Sequence, residues 1–294
     1  MATASGRHGI VVGVDGSPAS KVAVDWAARE AAMRDSALTL VHVMPTARFW
    51  PEGATPSRID RLYRAQAQQW LREAAKVAGE ATGAHGRIDT RLLDGAVLPA
   101  LVDLSKDAQL IVVGCRGQGS IARRLMGSIS RGLVQRAHCP VGIIHDEDPL
   151  MPRPVAQAPV VVGVDGSAAS EPAAEIAFDE ASRRGVELVA VHAWMDDTTF
   201  ELPADEWSAT HKDMTEQTLT KQLARWQQRY PEVPVRRVVV RDQPARQLVK
   251  QADDAQLVVV GSHGRGGFAG MLLGSVATAV AESARMPVIV ARSS

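Results

Sequence analysis

Runs of apolar residues alternate with amphipathic segments along the whole chain, and this alternation predicts strands separated by helices. Residues 9–15 read GIVVGVD, a continuous β-branched run that is typical of a strand buried on both faces. Ser17 and Pro18 follow and predict the start of a helix, because serine caps helices well and proline is tolerated in the first turn. That helix is expected to reach about Arg34. The first half continues with predicted strands at 38–43, 88–93, 109–114 and 140–145 and with predicted helices at 58–81, 96–105 and 127–137.

The second half of the chain repeats the first. The heptapeptide VVGVDGS occurs at 11–17 and again at 161–167, and DAQLIVVG at 107–114 is matched by DAQLVVVG at 254–261. Because the matching segments keep their order, the chain is expected to contain two copies of one domain. The predicted strands of the second copy lie near 160–165, 187–192, 235–240, 256–261 and 287–292.

The predicted domains span 1–146 and 159–294 and are joined by a proline-rich linker at 147–158. Proline fixes φ and withholds a backbone donor, so the linker is expected to be extended. Within each domain, the alternation of strands and helices predicts βαβ units with right-handed crossovers. Each half is therefore expected to be a five-stranded, doubly wound α/β domain, with helices on both faces of a parallel sheet. Ligands of such sheets bind beyond the carboxyl ends of the strands.

Composition and charge exclude several classes of protein. The 294 residues include 33 Lys+Arg and 33 Asp+Glu, a net charge of zero, which argues against coating nucleic acid or an anionic membrane surface. No apolar run approaches the roughly 20 residues that a membrane span needs. Cys115 and Cys139 are the two cysteines, too few for a disulfide framework or a four-cysteine zinc site. These features predict a cytoplasmic protein.

The fourth predicted strand of each half is followed by the same glycine pattern, G-x2-G-x9-G-S, which starts at Gly114 and at Gly261. Glycines let backbone amides approach an oxygen atom closely, and the helix after the loop offers unpaired N–H groups and the positive end of its dipole. The serine is expected both to cap this helix and to donate to phosphate. A solvent-exposed loop with a serine cap is the alternative, but the placement between a strand and a helix occurs twice and favours a phosphate site. The candidate residues are Gly114, Gly117, Gly119, Ser120, Gly127, Ser128 and Ile129 in the first half, and Gly261, Gly264, Arg265, Gly266, Gly267, Gly274, Ser275 and Val276 in the second.

The first predicted strand of each half ends in an aspartate, Asp15 or Asp165. A carboxylate at this place can accept hydrogen bonds from ribose hydroxyls or help to hold a magnesium ion near phosphates. An aspartate that only starts the turn before the helix is the alternative. Gly13 and Gly163, two residues earlier, leave the strand surface without a side chain, which suits a ring or ribose that lies against the backbone.

The second predicted strand of each half contains a Val-His pair, Val41-His42 or Val191-His192. The valine backbone is a candidate for hydrogen bonds to an adenine edge. The histidines suggest a metal site, but no other His or Cys lies at ligand spacing, so a packed histidine held by one hydrogen bond is the favoured interpretation. No residue is predicted to be a metal ligand.

Several catalytic signatures are absent from the sequence. There is no Walker loop, no G-x-G-x-x-G after the first strand and no G-x-S-x-G elbow. No lysine or glutamine is obviously placed to activate water at a γ-phosphate. Cys115 has no convincing base near it and is interpreted as a small loop residue. The sequence therefore predicts binding without evident catalysis, and no catalytic residue is assigned.

The VVGVDGS segments, the Val-His strand ends and the two G-x2-G-x9-G-S loops together resemble the universal stress protein family, in its ATP-binding, tandem-domain form. The resemblance covers nearly the whole chain. It implies two Rossmann-like (adenine-nucleotide α-hydrolase-like) domains with the strand order 3-2-1-4-5, and ATP bound with Mg²⁺. It also implies that Asp15 and Asp165 lie beside the adenosine, that Val41 and Val191 meet adenine through their backbone, and that the glycines and serines of the loops line the phosphates.

The resemblance further implies pairing through the last strand of each domain. Residues 141–145 and 288–292 are expected to join the two halves as an internal pseudo-dimer, because an open sheet edge exposes unpaired donors and acceptors. Association of two chains into a homodimer is compatible with this expectation.

Three functional hypotheses follow. The leading hypothesis is an ATP-binding protein with two nucleotide sites and a regulatory or signalling role in stress or dormancy. The second is a slow ATPase or nucleotide-dependent transferase on the same scaffold. The third is an interaction module in which the glycine loops are only turns.

Overall fold

The fold is known from a computed structural model that describes residues 8–44, 56–83, 86–117, 126–145, 157–167, 170–194, 204–264 and 273–292. These residues form two compact units, 8–145 and 157–292. Each unit is a parallel α/β domain, as the alternating sequence pattern predicts.

The first unit contains a five-stranded sheet in the described residues, with the order β3-β2-β1-β4-β5. The central strand β1 pairs in parallel with β2 on one side and with β4 on the other. Helix α1 packs against α2, and α3 against α4, which places a helix pair on each face of the sheet. The elements are β1 (Ile10–Gly13), α1 (Pro18–Met33), β2 (Leu38–Met44), α2 (Pro56–Thr82), β3 (Ile88–Asp94), α3 (Val97–Leu104), β4 (Leu110–Gly114), α4 (Ser128–Arg136) and β5 (Val141–Ile144).

The second unit repeats this architecture with the order β8-β7-β6-β9-β10. Counted within the unit, that order is again 3-2-1-4-5, so the predicted fold class and the tandem arrangement of two such domains are confirmed. The elements are β6 (Val160–Gly163), α5 (Glu171–Arg184), β7 (Leu188–Trp194), α6 (Ala204–Arg229), β8 (Val235–Arg241), α7 (Pro244–Ala252), β9 (Leu257–Gly261), α8 (Ser275–Ser283) and β10 (Val288–Ala291).

The core of each unit is built from the central strands and the helix faces that cover them. Val11 and Val12 in β1, and Val161 and Val162 in β6, are all completely buried, because helices cover both sides of a parallel sheet. Among the described residues, Phe178 in α5 is the largest fully buried side chain, and its ring stacks on Tyr230 with the centroids 6.0 Å apart. Burial of these apolar groups is the main source of stability.

One edge of each sheet carries charged side chains. In the second unit this edge is β8, where Arg236 donates to Glu187 at 3.1 Å and Arg237 donates to Gln227 at 2.7 Å. In the first unit it is β3, which bears the exposed pair of Asp89 with Arg91. β3 and β8 are the strands whose outer backbone N–H and C=O groups do not pair with another strand of the same unit. Charged side chains along such an edge strand are typical of natural sheets.

The beginning of α1 fixes the short segment between β1 and α1, which contains the candidate residue Asp15. Ser17 is the N-cap residue, and its hydroxyl accepts from the Ser20 amide at 3.2 Å. Pro18 is the first helical residue, as the sequence predicts. This cap brings the chain from the end of β1 directly into α1 and so fixes the short segment that carries Asp15.

Candidate functional site

A cavity of about 760 Å³ lies at the carboxyl ends of β1, β2 and β4 in the first unit. Its volume falls in the range of roughly 300–1,000 Å³ that is typical of small-molecule sites. Every described candidate residue of the first half lines it: Gly13, Asp15, Val41, Gly114, Gly117, Gly127, Ser128 and Ile129. The structure therefore brings together residues that are more than a hundred positions apart in the sequence. The candidates Gly119 and Ser120 lie outside the described residues.

Asp15 is held in a defined orientation at the mouth of β1. Its Oδ1 atom accepts from the Ser17 amide at 2.9 Å and from the Ser17 hydroxyl at 2.6 Å. Its Oδ2 atom lies beside Gly117, so close that a Cβ atom at position 117 would stand 2.7 Å from it. One carboxylate oxygen is thus engaged by the helix cap, while the other faces the glycine loop and the cavity.

The second unit repeats this geometry closely. Asp165 Oδ1 accepts from the Ser167 amide at 2.9 Å and from the Ser167 hydroxyl at 2.7 Å. A Cβ atom at Gly264 would stand 2.6 Å from Asp165 Oδ2. In both units, therefore, the second glycine of the loop pattern leaves the room that the aspartate needs.

The glycine pattern also places the first turn of a helix against the end of the neighbouring strand. The Gly127 amide donates to the Cys115 carbonyl at 2.8 Å, and the Gly274 amide donates to the Ser262 carbonyl at 2.8 Å. Helices α4 and α8 begin at the next residue. The first amides of a helix have no partner within the helix and carry the positive end of its dipole, so this arrangement suits an anion.

The expected capping role of the loop serines is wrong. Gly127 and Gly274 are the N-cap residues of α4 and α8, and neither helix has a side-chain cap hydrogen bond. Ser128 and Ser275 are instead the first helical residues. Because the cap lies one position earlier than expected, these hydroxyls do not satisfy helix amides.

Val41, the expected adenine contact, has its carbonyl engaged in the sheet. Val41 lines the cavity, but its carbonyl accepts from the Val14 amide at 2.8 Å. Strand β1 ends at Gly13, which pairs with Val41. Because alternate residues of a strand direct their N–H and C=O groups to the same side, Val43 repeats the orientation of Val41 beyond the end of β1. Val43 also lines the cavity, and its backbone N–H and C=O groups lie beyond the last β1 residue that pairs with β2.

The second unit has the same relation between these strands. The Val191 carbonyl accepts from the Val164 amide at 2.9 Å, which leaves Ala193 as the residue equivalent to Val43. The two-residue period of a strand gives positions 41 and 43 the same orientation, so the sequence pattern alone does not choose between them. What the sequence does not show is that β1 is shorter than β2.

His42 and His192, the equivalent histidines of the two halves, each form a hydrogen bond to the backbone at the end of the first strand of their half. His42 Nδ1 lies 2.6 Å from the Val14 carbonyl, and His192 Nδ1 lies 2.7 Å from the Val164 carbonyl. Each ring therefore donates from Nδ1 to the backbone just after the first strand. This contact agrees with the structural interpretation of both histidines, and no group of three or more His, Cys, Asp and Glu able to hold a metal occurs in the part of the chain that the structure describes.

Two further residues shape the site without a sequence signal. Trp70 in α2 lines the cavity and meets His42 edge-on with ring centroids 5.2 Å apart. Ser130 in α4 is buried, and its hydroxyl donates to the Gly114 carbonyl at 2.8 Å with the Cys115 carbonyl at 3.2 Å. Both placements depend on how helices pack onto the sheet, which no local motif encodes.

Burial makes one of the two cysteines inert near neutral pH. Cys139 is 5% exposed, and burial raises the pKa of its thiol to about 12. The thiol therefore stays protonated near neutral pH. Because the thiolate is the reactive form, Cys139 is expected to be unreactive there. We expect peptide mapping after treatment of the native protein with a thiol reagent at pH 8 to find Cys139 unmodified, and modified after unfolding. Rapid modification of native Cys139 would contradict the burial described here.

None of the helices in the described ranges is long and apolar enough to cross a membrane.

Comparison with known proteins agrees with this fold. The model of the universal stress protein family matches residues 6–145 and 158–292. The chain is 54% identical over 297 residues to Universal stress protein Rv2623 of Mycobacterium tuberculosis H37Rv, covering 100% of this chain and 99% of that protein. It is 50% identical over 291 residues to Universal stress protein Rv2005c of the same strain, covering 98% of each.

A solved structure supports the fold independently. The crystal structure of a universal stress protein from Archaeoglobus fulgidus DSM 4304 superposes with a TM-score of 0.71, at 18% identity, over 97% of this chain and 96% of that one. Together with the family match to both halves, these likenesses show that the chain belongs to the universal stress protein family, with two family domains in tandem.

Proposed function

We propose that this universal stress protein binds ATP at two sites, one in each half, and uses the nucleotide in a regulatory role in stress or dormancy. The observation that carries the proposal is the cavity of about 760 Å³ in the first unit. It combines an oriented carboxylate, a glycine loop and the first turn of a helix at the carboxyl edge of a parallel sheet. That combination offers an acceptor for ribose hydroxyls and amide donors for phosphate.

The phosphates fit the first turn of α4. The amides of Ser128 and Ile129 lie where the helix offers unpaired donors, and Gly117 lets an oxygen approach the backbone closely. The cationic side chain of Arg116 also lines the cavity, and a guanidinium group is a suitable donor for charge-assisted hydrogen bonds to phosphate.

The nucleoside fits the remaining wall of the cavity. Asp15 Oδ2 faces the cavity side of the loop and is the acceptor for a ribose hydroxyl. The adenine edge is assigned to the backbone of Val43 rather than Val41. Gly13 has no side chain between the sheet and the ligand, and even a methyl group there would stand 3.1 Å from Val113 Cγ1.

Magnesium fits this site as a companion of the phosphates. Mg²⁺ usually keeps several waters and takes one or two carboxylates plus phosphate oxygens. Asp15 is a carboxylate at the cavity, and a site of this kind does not need the cluster of protein ligands that the described residues lack. Bound Mg²⁺ would neutralise part of the triphosphate charge.

The second half supports a second site through the same local contacts. Asp165 and Gly264 repeat the approach of Asp15 to Gly117, and the Gly274 contact places the amides of Ser275 and Val276 at the end of β9. Gly163 and Gly261 end strands β6 and β9. The candidates Arg265, Gly266 and Gly267 lie outside the described residues and stay predictions.

The chemistry of the lining favours binding over turnover. Asp15, His42 and Arg116 are the titratable groups among the described residues that line the cavity. Asp15 Oδ1 and His42 Nδ1 are already engaged with neighbouring groups of the chain. A water at the γ-phosphate would need a positioned base. The remaining Asp15 oxygen, Oδ2, is assigned to the ribose hydroxyl, so the proposal assigns no base to that water.

Calorimetry with Mg-ATP on nucleotide-free, full-length protein tests the proposal. We expect two ATP per chain to bind, and Mg-GTP to bind more weakly because a backbone edge discriminates between the two bases. An absence of Mg-ATP binding would contradict the proposal. Phosphate release that scales with protein and disappears in the Asp15→Asn/Asp165→Asn variant would favour the enzyme hypothesis instead.

A further inference from the structure

In each half the glycine loop and the first helical turn after it form what we call the phosphate cradle, residues 114–117 with 127–130 in the first half and residues 261–264 with 274–277 in the second. Among the differences between the two helical turns, one exchanges a hydroxyl for a methyl group. Ser130 lies three residues after the cap Gly127, and the residue three after the cap Gly274 is Ala277. Both side chains are buried, with 3% exposure each. A hydroxyl in the first cradle is therefore replaced by a methyl group in the second.

The hydroxyl gives the first cradle a second connection between helix and strand. The Gly127 amide donates to the Cys115 carbonyl at 2.8 Å, and Ser130 Oγ donates to the Gly114 carbonyl at 2.8 Å. These two bonds connect the first turn of α4 to the end of β4 from different residues. They restrict both the distance and the rotation of the helix turn relative to the strand.

The second cradle lacks this side-chain connection. The Gly274 amide donates to the Ser262 carbonyl at 2.8 Å, but the methyl group of Ala277 cannot donate a hydrogen bond. The neighbouring hydroxyl of Thr278 bonds the Gly274 carbonyl at 3.0 Å, which is a contact within its own helix turn. The hydrogen bond from the Gly274 amide thus connects α8 to the end of β9, and the side chain of residue 277 adds no second hydrogen bond.

We propose that Ser130 is a positioning residue that makes the first nucleotide site tighter than the second, so that the two sites fill in sequence as the nucleotide concentration rises. This inference rests on the proposed function. A donor array that is already fixed loses less conformational freedom when an anion binds. Loss of one hydrogen bond of this kind corresponds to roughly a fivefold weaker affinity.

Charge is a competing source of inequality between the sites. Arg116 in the first loop corresponds to His263 in the second, and Gln118 corresponds to Arg265, so the two loops also differ in their cationic residues. A reciprocal exchange at 130 and 277 separates the two causes, because it leaves these loop residues unchanged.

The test measures each site alone in full-length protein. The Gly264→Ala variant reports on the first site and the Gly117→Ala variant on the second, with Mg-ATP followed by calorimetry. Adding Ser130→Ala to the first background is expected to weaken binding about fivefold, and adding Ala277→Ser to the second is expected to tighten it about threefold. The gain at the second site cannot arise from damage to the fold.

Matched controls separate positioning from general packing. Ser105 is 1% exposed, and its hydroxyl donates to the Val102 carbonyl at 2.6 Å and accepts from the His138 amide at 2.9 Å. Ser105→Ala therefore removes an equally buried hydroxyl that connects α3 to the segment after the C-terminal end of α4, away from the cradle. Ala281→Ser adds a hydroxyl at a fully buried position farther along α8. Neither control is expected to change the affinity of the site in its own half.

A comparison of ligands adds a readout that a purely structural role would not move. Because Ser130 acts on the phosphate cradle, Ser130→Ala is expected to weaken Mg-ATP and inorganic triphosphate equally and to leave adenosine unchanged. Equal affinities at the two sites, or affinities unmoved by the exchange, would overturn the inference while leaving ATP binding intact. An absence of binding in both backgrounds would instead contradict the proposed function.

Discussion

Replacing both Gly117 and Gly264 with alanine is expected to remove most of the ATP affinity, with a loss of roughly 10- to 100-fold at each site. The added methyl group would stand 2.7 Å from Asp15 Oδ2 in the first unit and 2.6 Å from Asp165 Oδ2 in the second. The aspartate cannot simply turn away, because its other oxygen is bonded to an amide and a hydroxyl of the helix cap. Calorimetry with Mg-ATP measures the loss.

A glycine-to-alanine change elsewhere provides the control. Gly79 lies inside α2, and a methyl group there would meet nothing within 4 Å. Gly79→Ala is expected to raise the free energy of unfolding by about 0.5–1 kcal/mol, since alanine favours the helix, and to leave ATP binding unchanged. Wild-type affinity in the Gly117→Ala/Gly264→Ala variant would show that the ligand does not lie between the aspartate and the loop.

Replacing Phe178 with alanine is expected to lower the free energy of unfolding of the second unit by about 3–5 kcal/mol. The ring is fully buried in α5 and stacks on Tyr230 at a centroid distance of 6.0 Å. Its removal loses apolar burial and leaves a cavity that close-packed neighbours fill only in part. Denaturant titration followed by circular dichroism measures the change.

An exposed apolar residue of the same unit provides the comparison. Met214 in α6 is 61% exposed, so Met214→Ala is expected to change the free energy of unfolding by no more than about 0.5 kcal/mol. If Phe178→Ala were equally mild, the ring would not be part of a packed core, contrary to the fold described above.

Strands and helices were predictable because their hydrophobic patterns are long and occur twice. The predicted strand at 38–43 is observed as Leu38–Met44, and the predicted helix at 127–137 is observed as Ser128–Arg136. The differences lie at the ends, where hydrogen bonding to neighbouring elements decides the last residue.

The site was predictable where its chemistry lies in one segment and not where it depends on packing. The glycine loops could be placed because each follows a strand and precedes a helix. Trp70 and Ser130 enter the site only through the packing of α2 and α4, and the choice between Val41 and Val43 depends on where β1 ends. The pairing of the two halves through their last strands stays a prediction.

The arginines along β8 have a consequence for behaviour at high concentration. The edge strand β8 has the sequence VRRVVVR, which is rich in β-branched residues. The unpaired backbone groups of such a strand can form hydrogen bonds with a strand of another molecule. Arg236 and Arg237 are anchored to Glu187 and Gln227, so cationic groups stand beside those backbone groups. Burying those charges under an incoming strand is costly, and growth of intermolecular aggregates from this edge is thereby opposed.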